Sequence, residues 1–340
     1  MQQGLLPELD QLERLIERGR GRLHCEVTCR VPVRTGALPV YAITLGTVAR
    51  DAPAVGFFGG VHGLERIGSR VVIAFLDHLV ARLEWDASLH HVLSRVQLVF
   101  MPIVNPGGMA SDLRCNPNGV DLMRNAPVDA AEAAPFLVAG HRISPRLPWY
   151  RGARGAPMEA ESAALCDLVE RSLHGRPLSL ALDCHSGFGM RDRIWFPFAH
   201  RRAPMEALPE LDALHAIFAG SQARHPYVIE PQSRQYLAHG DLWDHLVLRA
   251  AGRPGVFLPL TLEMGSWIWV KKNVRQLFSR VGIFNPLIAH REQRVLRRHL
   301  PLLDFLVRAA ASHAQWLPRA EEREGHRGTA LARWYGGAEG

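Results

Sequence analysis

Lysine is almost absent from this chain of 340 residues, in which Lys271 and Lys272 are the only lysines among 40 basic residues. Arginine therefore carries the formal net charge of +7, a bias typical of genome composition. The basic residues are scattered, with no stripe interleaved with aromatics and no recognisable nucleic-acid-binding module. We therefore expect no nucleic-acid partner, although the positive charge is compatible with attraction to acidic substrates.

Long apolar runs and targeting signals are also missing. No apolar run reaches the length that crosses a bilayer. Residues 1–19 are amphipathic and acidic, without the basic segment and apolar core of a secretory signal. The five cysteines are an odd number with no framework spacing, which favours reduced thiols. These absences predict a cytoplasmic protein with no membrane partner, and nothing in the sequence specifies an oligomeric state.

The middle of the chain has no linker, repeat or low-complexity block. We expect a single catalytic domain over residues 1–315 and a polar, flexible C-terminal tail over 316–340. Periodicity predicts helices over 5–18, 69–83 (capped by Ser69), 157–173 and 286–315. Strands are expected over 22–32, 38–46, 54–59, 96–104, 178–184 and 256–263, with a loop-rich region at 186–255. Alternating strands and helices predict an α/β fold with helices on both faces of a sheet.

The helical zinc signature H-E-x-x-H is absent, but a different set of metal-binding side chains is present. His62 and Glu65 follow the apolar strand, His185 follows a later strand, and Glu263 lies among apolar and hydroxyl neighbours. A hydrolytic zinc site uses three protein ligands and leaves one position for water, whose proton a nearby carboxylate takes. With 17 histidines in the chain, one such pair is weak support by itself.

Six motifs in a fixed order strengthen this interpretation. They are H-G-x-E at 62–65, N-P-x-G at 105–108, R-x-N-x-N-G-V-D-L-x-R-N at 114–125, D-C-H-S-G at 183–187, Y-x-x-x-G-x-x-x-D at 236–244 and T-L-E at 261–263. In these motifs the chain resembles the zinc carboxypeptidases of the funnelin type, over about residues 40 to 310. The resemblance implies a mixed, roughly eight-stranded twisted sheet.

The resemblance also implies roles for the charged residues of the ligand set. His62, Glu65 and His185 match the three ligands of one Zn²⁺ ion. Glu263 matches the general base that activates the attacking water. Asp121 matches a carboxylate that orients a zinc-binding histidine, a common arrangement behind metal ligands.

Three further positions match residues that contact substrate. Arg114 matches the arginine that polarises the scissile carbonyl, and Arg124 matches the one that binds the terminal carboxylate. Tyr236 matches the mobile tyrosine that closes over substrate. A guanidinium suits both arginine roles because it is a permanent charge with paired donors.

Two positions depart from the family pattern. Met123 replaces an asparagine whose amide helps bind the substrate carboxylate, a hydrogen bond worth about 1.5–3 kcal/mol. Trp243 fills the position that lines the floor of the specificity pocket. Because this position carries no charge, a basic C-terminal residue is not indicated. The indole is expected either to shorten the pocket or to stack on a substrate ring.

Three functions remain open at this point. The first is a zinc metallocarboxypeptidase acting on a peptide. The second is a zinc amidohydrolase acting on N-acyl amino acids or cell-wall peptides, which Met123 favours slightly and the N-P-x-G and tyrosine motifs disfavour. The third is a binding module without catalysis, which is disfavoured because all three ligands and Glu263 are present.

Overall fold

The computed structural model describes residues 6–34 and 36–336, so the predictions for residues 1–5, 35 and 337–340 lie outside the described residues. Eight strands form one sheet in the order β1-β2-β4-β3-β5-β8-β6-β7. They are β1 (His24–Val33), β2 (Gly36–Gly46), β3 (Ala54–Gly59), β4 (Gln97–Met101), β5 (Leu178–Ser186), β6 (Arg193–Phe196), β7 (Val228–Pro231) and β8 (Val256–Met264).

Parallel strands occupy the centre of the sheet. β4, β3, β5 and β8 run parallel, whereas β2 and β6 join them antiparallel from either side. Every residue of β3 and β5 is buried, as expected for parallel strands covered on both faces. The carboxyl ends of β3, β5 and β8 therefore meet at one edge of the sheet.

Ten α-helices surround the sheet within the described ranges. They are α1 (Pro7–Arg18), α2 (Arg66–Arg82), α3 (Ala87–Leu93), α4 (Pro106–Ala110), α5 (Ala160–Ser172), α6 (Leu208–Ser221), α7 (Leu242–Ala250), α8 (Trp267–Lys272), α9 (Ala289–Ala311) and α10 (Arg323–Ala330). None of them is both long and apolar enough to cross a membrane.

The sheet separates two hydrophobic cores. Neighbouring residues of β3 point to opposite faces, so Phe57 belongs to a core that includes residues of α1, α2, α6 and α9, whereas Phe58 belongs to a core that includes residues of α5 and α7. The predicted fold class, a mixed sheet of about eight strands with helices on both faces, is confirmed.

Two local predictions are wrong, and a third was incomplete. The helix expected from Ser69 begins at Arg66, with Glu65 at its N-cap position and Ser69 buried inside the helix. The region 186–255 is loop-rich as expected, but it also contains four elements that were not predicted, namely β6, α6, β7 and α7. Strands of four residues such as β6 and β7 show too little alternation to be recognised from sequence.

The second wrong prediction concerns the C-terminal tail, whose described part, residues 316–336, contains regular structure. α10 packs against α6, and the chain then forms a π-helical turn at Leu331–Tyr335. Trp334 is 2% exposed and donates its indole N–H to the carbonyl oxygen of Ile229 at 2.9 Å. The buried indole of Trp334 anchors this segment. The mostly polar composition of the segment gave no indication of this contact.

Candidate active site

Strand register brings the distant motifs together. β5 and β8 are parallel neighbours, and His185 lies directly opposite Glu263 in their register. His62 and Glu65 lie in the loop that leaves β3, the strand on the other side of β5. All four residues therefore lie at the carboxyl edge of the parallel strands, where open α/β sheets bind ligands.

His62, Glu65 and His185 form a buried cluster that has the composition of a metal site. One donor atom from each residue lies within 4.8 Å of the other two. His185 Nδ1 is 3.2 Å from Glu65 Oε2. Two ligands of a tetrahedral zinc ion with bonds of about 2.0–2.1 Å are separated by about 3.3 Å, so this pair has the spacing of zinc ligands. The donor set of two imidazoles and one carboxylate therefore fits zinc.

Asp183 anchors His185 from behind. Its Oδ2 lies 2.7 Å from His185 Nε2 and also accepts the indole N–H of Trp243 at 2.9 Å. Because Nε2 donates to Asp183, Nδ1 is the ring nitrogen that faces Glu65 and the cluster, and it would bind a metal once it has lost its proton. Although burial opposes a charged ring, Asp183 and Glu65 raise the pKa of His185 well above its ordinary value.

His62 is held by charges on both sides of its ring. Its Nε2 lies 2.7 Å from Arg114 Nη2, and its Nδ1 lies 3.6 Å from Asp121 Oδ1. A guanidinium only donates, so Nε2 is the unprotonated nitrogen. Burial, followed by the charge of Arg114, lowers the pKa of His62 well below its ordinary value. The ring is therefore neutral, as a zinc ligand must be.

Arg114 connects the ligand cluster to Asp121. Its Nε donates to Asp121 Oδ2 at 2.9 Å, and its Nη1 donates to Glu65 Oε1 at 3.4 Å. These two carboxylates raise the pKa of Arg114, outweighing the effect of burial. The guanidinium is thus a fixed positive charge beside the cluster.

Glu263 has an environment suited to a proton acceptor. Its Oε2 is buried and has no hydrogen-bond partner among the described residues. Burial and then the neighbouring Glu65 raise the pKa of Glu263 to about 8, against the opposing charges of His185 and Arg114. A carboxylate poised near neutral pH is a common feature of general bases.

A polar cavity opens beside this cluster. It is lined by His62, Arg114, Met123, Arg124, His185, Trp195, Gln232, Tyr236, Asp241, Thr261 and Glu263. Arg124 is 2% exposed, and its Nη2 donates to the hydroxyl of Tyr236 at 3.3 Å. The arginine expected to bind a substrate carboxylate and the tyrosine expected to close over substrate therefore share one cavity with the expected base.

Trp243 does not line this cavity, and its expected contact with substrate is corrected. It is 2% exposed, with its indole N–H on Asp183 and its ring 5.1 Å from that of Phe58 in an edge-to-face arrangement. It lies in the first turn of α7 on the buried side, so its size neither shortens the cavity nor offers a stacking surface. Trp243 instead positions Asp183.

Close packing between two loops explains the motif residues that carry no charge. Asn105 accepts from Gly108 N at 2.8 Å and donates to the carbonyls of Val61 and Arg114. A Cβ on Gly63 would lie 2.1 Å from the carbonyl carbon of Gly108. The N-P-x-G turn therefore packs against the His62 loop and fixes its position.

The sequence comparison identifies the family. Residues 37–252 match the family model described as zinc carboxypeptidase. The chain belongs to the zinc carboxypeptidase family. This is a family of zinc metallopeptidases, so the predicted cofactor, one Zn²⁺ ion, agrees with both the family and the His62–Glu65–His185 cluster.

Individual relatives of the zinc carboxypeptidase family share the fold at low identity. Carboxypeptidase SOL1 of Arabidopsis thaliana is 32% identical over 75 residues, which cover 22% of this chain and only 15% of that protein. The crystal structure of carboxypeptidase A from Helicoverpa armigera aligns with a TM-score of 0.65 at 17% identity, covering 89% of this chain and 72% of that one. Bovine thrombin-activatable fibrinolysis inhibitor aligns with a TM-score of 0.61 at 18% identity, covering 89% and 94%.

Two positioning residues of this zinc carboxypeptidase family member, Asp183 and Asn285, were not predicted from the sequence. Asp183 lies two residues before His185 on the same strand, so the D-x-H spacing was a usable signal. Asn285 accepts from Ile67 N at 2.9 Å and donates to Leu64 O at 2.8 Å, which holds the loop of Glu65. Nothing in the local sequence around Asn285 indicates that contact.

Proposed function

We propose that this protein is a zinc-dependent metallocarboxypeptidase that hydrolyses the C-terminal peptide bond of a peptide, with Glu263 as general base. The observation that carries the proposal is the shared cavity: Arg124 and Tyr236 line the same space as Glu263 and the histidines of the metal cluster. His62, Glu65 and His185 are the proposed zinc ligands. A peptide substrate and a cytoplasmic location are part of the proposal.

Zinc, when bound, lowers the pKa of water and polarises a carbonyl oxygen. Glu263 lines the cavity and has one unpartnered carboxylate oxygen, so this carboxylate is free to accept a proton from the attacking water. The same carboxyl group then returns the proton to the leaving amine. Its raised pKa favours both steps, because the carboxyl group gains and loses a proton near neutral pH.

Arg114 is proposed to stabilise the negative charge that develops on the carbonyl oxygen. Its guanidinium is anchored through Nε by Asp121, which leaves the Nη groups toward the cluster. Fixed donors directed at developing charge cost no reorganisation during the reaction. Asp121 therefore positions Arg114 as well as His62.

Arg124 is proposed to bind the terminal carboxylate of the substrate. The guanidinium is buried, its Nε has no partner among the described residues, and the hydroxyl of Tyr236 occupies one donor. A carboxylate would supply the missing acceptors, and Tyr236 would move aside and close over it. The cavity thus favours a substrate that ends in a carboxylate.

A second candidate, a zinc amidohydrolase acting on N-acyl amino acids or cell-wall peptides, is favoured by one feature. Met123 is 5% exposed and lines the cavity beside Arg124, so an apolar thioether stands where an amide would help bind a carboxylate. Without that amide, the cavity has a weaker preference for substrates with a free C-terminal carboxylate. Parallel assays on N-acyl amino acids and dipeptides separate the two candidates.

The decisive experiment compares peptides that differ only in a free or amidated C-terminus. We expect Arg124→Gln to lower kcat/KM on the free acid by about 10- to 100-fold, because a charge-assisted bidentate contact is lost. Amidated peptides should change far less. Arg249→Ala, which removes an exposed ion pair with Glu170, is the control for loss of an arginine. Equal losses on both peptides would refute the carboxylate role.

A further inference from the structure

A surface segment over residues 265–287 has a polar side chain inside and apolar side chains outside. It contains α8 and a 3₁₀ helix at Val274–Phe278. Gln276 is the buried residue of that 3₁₀ helix, whereas Phe278 is 91% exposed. The other exposed large apolar side chains of the segment are Trp267, Val274, Leu277 and Leu287. This arrangement reverses the usual one, in which large apolar side chains are mostly buried.

Hydrogen bonds inside the segment fix this arrangement. Gln276 Nε2 donates to the carbonyl oxygens of Gly282 at 2.6 Å and Asn285 at 3.0 Å. Asn285 Nδ2 donates in turn to the carbonyl oxygens of Val281 at 2.9 Å and Leu64 at 2.8 Å. Apolar side chains held in water gain free energy when a second apolar phase covers them. The segment therefore has the character of a binding surface.

The segment adjoins the candidate active site. The indole N–H of Trp267 donates to the carbonyl oxygen of Gly187 at 2.8 Å, and the hydroxyl of Ser186 donates to the carbonyl oxygen of Phe284 at 2.7 Å. Ser186 and Gly187 directly follow His185 in the chain. The apolar surface therefore lies at the carboxyl edge of the sheet, beside the metal cluster.

The charge of this surface has one sign. Residues 264–291 contain no aspartate or glutamate, although they contain both lysines of the chain, Lys271 and Lys272. These lysines, Arg275 and Arg280 are exposed, and none of the four forms an ion pair within the described ranges. Lysine is depleted at protein–protein interfaces. At a membrane surface, by contrast, its stem lies along the apolar boundary while its ammonium group reaches the headgroups.

We propose that this surface binds a membrane rich in anionic phospholipids. The basic apolar patch, as we call it, consists of Trp267, Lys271, Lys272, Arg275, Leu277 and Phe278. Its apolar side chains enter the boundary between headgroups and acyl chains, and its cations bind the lipid phosphates. Such binding uses no spanning helix, and it departs from the expectation of no membrane partner. Bound protein holds its active site close to the membrane surface.

The test is co-sedimentation of the purified full chain with lipid vesicles. One set of vesicles is phosphatidylcholine alone, and the other is equal parts phosphatidylcholine and phosphatidylglycerol. We expect binding to the anionic vesicles to be tighter by at least about 30-fold and to weaken with added salt. Phe278→Ser should weaken this binding by about 10-fold, because less apolar surface leaves water. The double variant Lys271→Gln, Lys272→Gln should weaken it by about 30-fold.

Matched control variants lie at the other end of the molecule. Trp85 is 74% exposed and follows the far end of α2, a helix about 25 Å long that begins beside Leu64. Arg95 is exposed and precedes β4 at the amino edge of the parallel strands, and Arg22 is near Glu84. Trp85→Ser and the double variant Arg22→Gln, Arg95→Gln should bind vesicles as wild type does. Thermal melts check the folding of every variant.

Three results would overturn the proposal: no binding to either vesicle, equal binding to both, or binding that survives the patch substitutions unchanged. Sedimentation velocity without lipid tests a second copy of the chain as the occupant. A dimer that Phe278→Ser dissociates, in protein that binds no vesicles, would assign the patch to that copy and also overturn the proposal. The wild-type comparison needs no variant, and none of these measurements depends on peptide hydrolysis.

Discussion

Replacing Asp183 with asparagine tests how the protein prepares His185 for the metal. Asp183 is fully buried, and its Oδ2 receives both the imidazole Nε2–H and the indole N–H of Trp243. An asparagine side chain is nearly isosteric with aspartate, but it carries no negative charge. Its amide group also adds a hydrogen-bond donor next to the donors of His185 and Trp243. The ring of His185 would lose its fixed tautomer and part of its basicity.

The expected cost follows from this geometry. Loss of such a hydrogen-bonded partner lowers metal affinity by about 10- to 100-fold. That corresponds to about 1.4–2.8 kcal/mol of binding free energy. Trp243→Phe removes the indole N–H and part of the buried ring but leaves the charge of Asp183 in place, so its effect should be smaller than that of Asp183→Asn.

Zinc affinity is measured by competition with chelators of graded affinity, at one pH and with thermal melts of each metal-free protein alongside. We expect the order wild type, Trp243→Phe, Asp183→Asn in decreasing affinity. If Asp183→Asn is folded and its affinity lies close to that of wild type, the claim that this carboxylate prepares the ligand is refuted.

The remaining predictions concern the base, the metal affinity and stability. Glu263→Gln should lower kcat by about 10²- to 10⁴-fold while zinc content stays unchanged, since the residue moves a proton and is not a ligand; undiminished turnover would point to another base. Because the carboxylates around His185 raise its pKa, a proton competes with zinc there, so zinc affinity should fall as pH falls, and a pH-independent affinity would contradict this. His174 is 1% exposed, and burial, with Arg253, lowers its pKa from 6.5 to about 4. In the unfolded chain His174 is therefore protonated below pH 6.5, whereas in the folded protein it stays neutral until about pH 4. The free energy of unfolding therefore decreases as the pH falls from 6.5 to about 4. By about pH 5 this loss amounts to about 2 kcal/mol. Urea unfolding at neutral pH and at that lower pH should show that His174→Phe loses less unfolding free energy than wild type. Equal losses would contradict the assigned role of His174.

The central strands were predictable from local sequence rules, and the ligand cluster was predictable from the resemblance of its motifs to a known family. β3 is a continuous apolar run and β5 is mostly apolar up to Asp183, and the motifs lie where these strands end. β5 and β8 are adjacent and parallel, and their register places His185 and Glu263 side by side. The helix α2 was located from its apolar spacing, although its first turn was missed because it begins inside the Glu65 loop.

Features that depend on tertiary packing were not predictable in the same way. Trp243 and Asp241 are two residues apart, yet one is buried behind Asp183 and the other lines the cavity. Their directions depend on where α7 begins, and its bounds were not visible in the sequence. Likewise, Trp334 anchors the C-terminal segment through a single carbonyl, that of Ile229, which is distant in sequence.

Metal content is the direct test of whether His62, Glu65 and His185 hold a zinc ion. Purified protein, reconstituted with zinc and desalted, is analysed by mass spectrometry beside His62→Ala and His185→Ala. We expect close to one zinc per chain in the parent protein and little in either variant. A parent that retains no zinc, or variants that retain it fully, would contradict the assignment of His62, Glu65 and His185 as the metal site.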